Sequence, residues 1–511
     1  MLQNLKALIV VLALAGAVFA FAKPLCLRFM APEDFARRRT VWLLLTVTAF
    51  LSPSFWLYVL VAVPLLLWAG KNDSNPVALF LLLIFVIPPM EIEIPIVGIN
   101  RLFDLNNWRL LGLVVLLPAI MTRVGRQGEG ERSRWSTMDV LLLSYGLLQL
   151  ILLIPYESWT NTLRRALLFF LDTYLVFFAF SRLLDSRRAF TDALAVLCLM
   201  GAIFAPIAVF ESFRGWLLYT DIGEMWGFAN RHAWLFRGDA LRAQAATGHS
   251  LTLGFIMAMS IGSWLYLRPY DVPQKWNIAV LTLLTAGLLV SHSRGPLLAA
   301  AILIVIFLAL SSRSTAGFMK SLLVMLCLAA VFAVTPFGSA IVDTLPFIGT
   351  QGQETVAYRQ QLAETSWALI QQNPLFGNPF VMLEMESLRQ GQGIIDLVNA
   401  YAQVALFYGL VGLALFSGVF LVALVRAYVD LRRSRENDDL GALRLGAVLI
   451  ACTVANLFFM ATAGQTWPEW VLAGMLASYV RLHRASSATQ TAAIAPPSRF
   501  ADGRPAVPNF R

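Results

Sequence analysis

The chain has 511 residues, 58% of them hydrophobic and 14% charged, against roughly 45–50% and about 25% in soluble domains. Charge this sparse cannot cover a water-soluble body of that length, and the apolar residues fall in blocks of about 15–28, the length that crosses a bilayer. The formal net charge of +9 is spread in short Lys and Arg runs beside those blocks rather than on one basic face, which argues against nucleic acid and for an all-α polytopic membrane protein.

In chain order the blocks predict spans near 7–22, 40–70, 76–90, 107–122, 138–156, 165–181, 189–211, 249–267, 276–291, 296–312, 321–338, 399–425, 441–462 and 466–480, about fourteen crossings. The first block ends in Ala20-Phe21-Ala22 and imitates a signal-peptidase site, but its positive region is only Lys6 and more spans follow, so a retained helix is expected. The block 40–70 reads as one steep helix or as two short ones broken at Ser52-Pro53-Ser54. Cys198, Cys327 and Cys452 lie inside apolar blocks, where cysteine behaves as a small hydrophobe, and no disulfide or metal spacing is present.

Short basic loops stay on the cytoplasmic side. Arg123, Arg126, Arg132 and Arg134 mark one such loop; Arg182, Arg187 and Arg188, then Arg268 and Lys275, then Arg313 and Lys320, then Arg426, Arg432, Arg433 and Arg435 mark others on alternate sides of successive spans. The exception is Arg37-Arg38-Arg39, which lands outside if the N-terminus is inside and block 40–70 is one helix; a broken helix would place the N-terminus outside. The expected organisation is N-terminal spans over 1–212, an arginine-rich outer loop over 213–248, central spans over 249–338, a large outer loop over 339–398, C-terminal spans over 399–484 and a disordered cytoplasmic tail over 485–511.

Three outer features carry chemistry. The loop 213–248 holds Arg214, Arg231, Arg237 and Arg242, on the side where arginine is unexpected; guanidinium groups grip phosphate oxygens bidentately, and the alternative is pairing with Asp221, Glu224 and Asp239. Ser291-His292-Ser293-Arg294-Gly295-Pro296 is a tight polar break that puts Arg294 at the outer interface, as a ligand or as a snorkelling cation. His249 and His292 lie beside these arginines in sequence. The segment from Tyr358 to Ile370 has a helical period in Leu362, Ser366, Leu369 and Ile370, is stopped by Asn373-Pro374, and is expected to lie on the membrane. Glu384, Glu386, Arg389 and Asp396 follow, then Asn399, Tyr401 and Gln403 entering a span, with Gly409 and Gly412 inside it.

In order and spacing these residues resemble the O-antigen ligase and polymerase superfamily of bacterial inner-membrane glycosyltransferases, over roughly residues 230–415. Ser293-Arg294-Gly295 is similar to that family's Ser-Arg-Gly motif, Arg359 through Gly377 to the segment that opens its large periplasmic loop, and Asn399 to Gly412 to its closing motif. The resemblance implies a GT-C-like fold with one large periplasmic loop in the inner membrane. It also implies metal-independent, cofactor-free transfer of a glycan from an undecaprenyl-diphosphate-linked donor to a saccharide acceptor, with membrane lipid as surroundings and room for a chain-length or export partner. No Asp-x-Asp metal motif occurs in the outer loops. The family's His before the closing Asn is Val398 here, so either its role passes to another group, Asp396, Glu386, Glu384 or His249, or the acceptor is activated through orientation and leaving-group stabilisation alone. On this reading Arg242, Arg294 and Arg359 hold the diphosphate or donor, and Asn399, Gly377 and Tyr401 are motif or acceptor positions. The reaction expected is polymerisation of repeat units, with ligation to lipid A core, a lipid-linked oligosaccharide flippase and a non-catalytic glycan-binding relative as alternatives.

Overall fold

The computed structural model describes residues 2–94, 101–126, 135–228, 235–237, 240–269, 272–312, 353–389, 395–464 and 468–494, with four single positions between 316 and 323. Among these residues, nine helices are long and apolar enough to cross a membrane, and Thr137–Leu153 and Gln274–Val290 are shorter apolar helices. The expected span 321–338 and the start of the outer segment at 339 lie almost wholly outside the described residues.

Three N-terminal helices zigzag through the bundle: α1 (Leu2–Cys26), α2 (Pro32–Leu51) and α3 (Phe55–Asn72). Of the two readings of block 40–70, the structure takes the broken one. Ser52 and Ser54 are extended at the break, and the Ser54 hydroxyl accepts from the Leu57 N–H to cap α3. Asn4 lies against Met225, and the Trp226 indole donates to the Ser52 carbonyl at 2.8 Å, so residues 4, 52 and 226 share one end of the bundle. Arg37-Arg38-Arg39 therefore sits at the opposite end of the bundle from residues 4, 52 and 226.

That opposite end is pinned by buried charge. Arg38 donates to Asp73 at 2.9 and 2.7 Å and to Asp192 at 2.6 and 2.9 Å, and Asn75 adds a bond to Asp192 at 3.0 Å. This ties α2 and the end of α3 to α10 (Arg187–Arg214), the most deeply enclosed helix together with α12 (Ser250–Leu267). Arg182 pairs with Asp139 at 2.7 Å and Arg187 with Asp439 at the same end. Every guanidinium in that cluster meets a carboxylate, the condition under which buried charge is tolerated.

Other departures have local causes. The span expected over 76–90 is helical only in α4 (Pro76–Leu83), since Pro88-Pro89 cannot continue a helix. Helices α5 (Asn107–Leu111) and α6 (Leu117–Arg126) flank a π-helical turn at Gly112–Leu116; α8 (Trp159–Phe169) and α9 (Leu175–Leu183) flank another at Phe170–Tyr174. Helix α7 is Thr137–Leu153, and α11 is the short Thr220–Met225. The central pair α13 (Gln274–Val290) and α14 (Arg294–Ser311) meet at the polar break. Past the undescribed stretch come α15 (Gln353–Gln372), α16 (Val381–Glu384), α17 (Ala400–Glu436), α18 (Leu440–Met460) and α19 (Pro468–Ile494). Helix α19 continues to Ile494, into the segment expected as a disordered tail; its Ala-rich run from Ala485 favours helix. Residues 495–511 lie outside the described residues.

Candidate functional site

At the end away from the Arg38 cluster, three chain segments bring their arginines together. The first is the hairpin Phe236–Arg237 with Ala240–Leu241. It leads into Arg242, whose N–H donates to the Leu235 carbonyl at 2.9 Å, while Ala243 N–H donates to Val290 O at 3.1 Å, seating this strand on the end of α13. The Arg242 guanidinium donates to Ser293 Oγ at 2.9 Å, and Arg237 donates to the His292 carbonyl at 2.7 Å. Two arginines of the 213–248 segment thus sit on the Ser293-Arg294-Gly295 turn. Of the other two, Arg214 is exposed in the last turn of α10, and Arg231 lies outside the described residues.

The turn itself explains its composition. Ser293 Oγ donates to Ser291 O at 2.9 Å, Ser291 Oγ to Leu288 O at 2.7 Å, and both serines are buried. A Cβ on Gly295 would come within 3.1 Å of Thr462 Oγ1 and 3.3 Å of Phe459, so glycine lets α14 begin against the end of α18. Arg359, on α15, donates to the Thr462 carbonyl at 3.3 Å, which brings the third segment to the same place.

These charges are close enough to disturb one another. Burial, then Arg237, pushes the Arg242 guanidinium down to about 10. Burial, then Arg294 and Arg359, lowers Arg237, and burial with Arg237 and Arg242 lowers His292. Arg237, Arg242 and Arg359 form no ion pair among the described residues, and the buried Nε of Arg242 has no hydrogen-bond partner there. Pairing of Arg242 with Asp221 or Glu224 is not what the structure records; Asp239 lies outside the described residues. Guanidinium groups gathered this closely have the chemistry that suits an anionic ligand such as a phosphate.

Glu211, which the sequence reading passed over, holds the arginine loop in place. Fully buried near the end of α10, its carboxyl group accepts from Leu218 N at 3.0 Å on one oxygen and from Gln244 N at 3.0 Å and Ala245 N at 2.7 Å on the other. The signal was available: a lone acid at the end of an apolar span is costly unless used. Ala245 at φ 47° and His292 at φ 45° are non-glycine residues in left-handed backbone, one in each site turn, and such strain persists where surrounding structure holds it.

The closing motif is also resolved. Pro374-Leu375-Phe376-Gly377 docks into a break in α17 at Gly409, where φ is 66° and ψ −169°. Leu410 N donates to Pro374 O at 2.8 Å, Val411 N to Leu375 O at 3.2 Å and Asn378 N to Leu406 O at 2.8 Å, replacing the helical bonds that the break removes. A Cβ on Gly377 would come within 2.5 Å of Leu406 O, so Gly377 serves this docking. Asn399 caps α17, accepting from Tyr401 N at 3.0 Å and Ala402 N at 3.1 Å, and the Tyr401 hydroxyl donates to Leu457 O at 2.9 Å. Arg359, Ser366, Val398 and Asn399 line one pocket of about 220 Å³, in which buried Ser366 Oγ has no hydrogen-bond partner among the described residues.

The expected bases fare unequally. Glu386 is exposed and paired with Arg389 at 2.5 Å, which holds its carboxyl below the usual range. Glu384 accepts from Asn378 at 2.6 Å and is exposed. His249 caps α12 by accepting from Leu251 N at 3.1 Å through Nδ1. Asp396 is exposed, and its backbone N–H donates to the Tyr358 hydroxyl at 3.1 Å, two residues before Val398.

The family model described as O-antigen ligase matches residues 278–417. The matched segment belongs to the O-antigen ligase superfamily. No curated protein matches the chain. The O-antigen ligase segment spans α13, the Ser-Arg-Gly turn, Arg359 and the broken start of α17; Arg237, Arg242 and Glu211 reach the same place from outside it.

Proposed function

We propose that the protein is a periplasmic-face glycosyltransferase that moves a glycan from an undecaprenyl-diphosphate carrier to a sugar hydroxyl, polymerising O-antigen, capsule or exopolysaccharide repeat units in the bacterial inner membrane. The observation that carries this reading is the contact of Arg242 with Ser293 at 2.9 Å, beside Arg294 and with Arg237 on His292 O, where two arginines from outside the matched segment meet its Ser-Arg-Gly turn.

In the reaction the anomeric C–O bond to the diphosphate breaks and a bond forms between that carbon and the acceptor oxygen. The leaving lipid diphosphate keeps the electron pair. Arg242, Arg294 and Arg359 stabilise its developing charge, an electrostatic contribution of the oxyanion type that needs no metal in this reading. The acceptor proton passes to a base at the mouth of α17, for which Asp396, two residues before Val398, is the carboxyl candidate, and Asn399 and Arg359 orient the acceptor in the 220 Å³ pocket. Ligation to lipid A core is the same chemistry with another acceptor.

Arg242→Ala and Arg294→Ala, made separately, test the reading by the length and sidedness of lipid-linked glycan. The enzyme accumulates short carrier-linked repeats at the periplasmic face in both variants, with transfer down about 10²–10³-fold. A flippase traps the repeats on the cytoplasmic side, and unchanged glycan in both variants removes the site.

A further inference from the structure

A second cavity, of about 510 Å³, lies among α5, α7, α8, α17 and the start of α19 and uses none of the arginines above. Its size falls within the range of small-molecule sites, about 300–1,000 Å³. The first two turns of α17 divide the two regions: Asn399 and Ala402 line the Arg359 pocket, and Gln403, Val404 and Phe407 line this cavity. Pro379, just past the turn docked at Gly409, also lines it.

The lining is mixed in a particular way. Trp108, Tyr145, Tyr408 and Trp470 bring ring surfaces, with Tyr145 and Tyr408 edge to face at 5.9 Å. Gln149 and Gln403 bring side-chain amides that have no hydrogen bond among the described residues, near the outer ends of their membrane helices. Arg109 and Asp172 form a bidentate pair at 2.8 and 2.7 Å, and Glu469 joins the wall. Asp172 lies in one π-helical turn and Arg109 three residues before the other; such turns concentrate at functional sites.

This combination selects among ligands. A polyprenyl chain would bury the two amides and the ion pair against hydrocarbon. A diphosphate would face the carboxyl groups of Asp172 and Glu469; of the two arginines in the wall, Arg109 is engaged by Asp172, which leaves Arg165 against two acids. A sugar ring meets both demands: its apolar face stacks on aromatic rings, and its hydroxyls, donor and acceptor at once, match amide and carboxyl groups. We infer that this cavity is a saccharide-binding site, held by Gln149 and Gln403 over the Tyr145–Tyr408 ring pair, that receives the part of the acceptor glycan beyond the sugar oriented by Asn399 and Arg359; the acceptor role rests on the glycosyltransferase reading.

The full chain in lipid nanodiscs, with methyl glycosides of glucose, galactose, rhamnose and N-acetylglucosamine as probes, tests this by saturation-transfer NMR. At least one glycoside is expected to bind, with affinity lowered at least tenfold in Gln149→Leu/Gln403→Leu and kept in Arg294→Ala. Gln149→Met and Gln403→Met, which preserve side-chain length, must each weaken binding too, so that a folding defect in the double variant cannot carry the result. Binding of none of the four, binding unchanged in the glutamine variants, or loss in Arg294→Ala would overturn the assignment. Donor cleavage, read as released lipid diphosphate, is a separate measurement: its absence with glycoside binding intact would count against the glycosyltransferase reading and leave the saccharide site standing.

Discussion

Glu211→Ala removes the acceptor for three backbone N–H groups, those of Leu218, Gln244 and Ala245. Each buried donor left stranded costs about 1–3 kcal/mol, so the set costs on the order of 3–9 kcal/mol, and water entering the vacated space brings this toward the lower figure. The loss falls first on the loop carrying Arg242, because the Arg38 cluster holds the other end of α10 independently. About 3 kcal/mol against the seated loop corresponds to roughly a hundredfold fewer molecules with Arg242 on Ser293. Glu211→Gln keeps one acceptor oxygen, which can serve Gln244 and Ala245 while its amide group faces Leu218 N–H; its cost is about 1–3 kcal/mol. The assay is glycan transfer in nanodiscs alongside amide hydrogen exchange of residues 240–247. Expected are a transfer loss of about a hundredfold in Glu211→Ala and a smaller one in Glu211→Gln, with exchange raised in that loop before the rest of α10. Full activity in Glu211→Ala with unchanged exchange would refute the bracing role.

Further outcomes are open to measurement. Because Arg242 is held down to about 10, pyrophosphate affinity measured calorimetrically should fall as pH rises through about 10, and that step should vanish in Arg242→Ala; the same shift means that the neutral arginine fits the ligand-free fold better, so stability from this group is gained as pH rises and not lost. Gly409→Ala puts a Cβ 2.2 Å from Leu375 O in left-handed backbone, and is expected to cost more than about 2 kcal/mol and undock the Pro374–Gly377 turn, seen as protease sensitivity there; a stable, protected variant would contradict the docking. Asp396→Asn should lower transfer about 10²–10⁴-fold if it is the base, with partial recovery in Asp396→Asn/Val398→His; equal rates in Asp396→Asn and wild type would remove Asp396 from the mechanism. Arg38→Met leaves Asp73 and Asp192 facing each other in the interior and should destabilise the bundle by about 3–5 kcal/mol, read as a lowered melting temperature; an unchanged melting temperature would show that these carboxyl groups find other partners.

Local chemistry alone determined several features of this protein. Apolar blocks of bilayer length give helices whatever surrounds them, because unpaired backbone groups are intolerable in lipid. Asn373-Pro374 ends α15 after Gln372 for a similarly local reason. Arg242, Arg294 and Arg359 were marked by charge beside apolar blocks or by motif, and Asn399 by its place before a span. Tertiary structure decided what each of them touches. Only packing puts residue 242 on residue 293, or residue 359 on residue 462, since nothing in a linear pattern encodes which helix ends meet. The same holds for Glu211, whose partners lie up to 34 positions away, and for Gly409, whose freedom is needed because Leu375 lies against it. Glu386 shows the converse: a carboxyl beside a helix mouth in sequence can face water and pair with Arg389, because a base's environment is set by the volume around it and not by its neighbours in the chain.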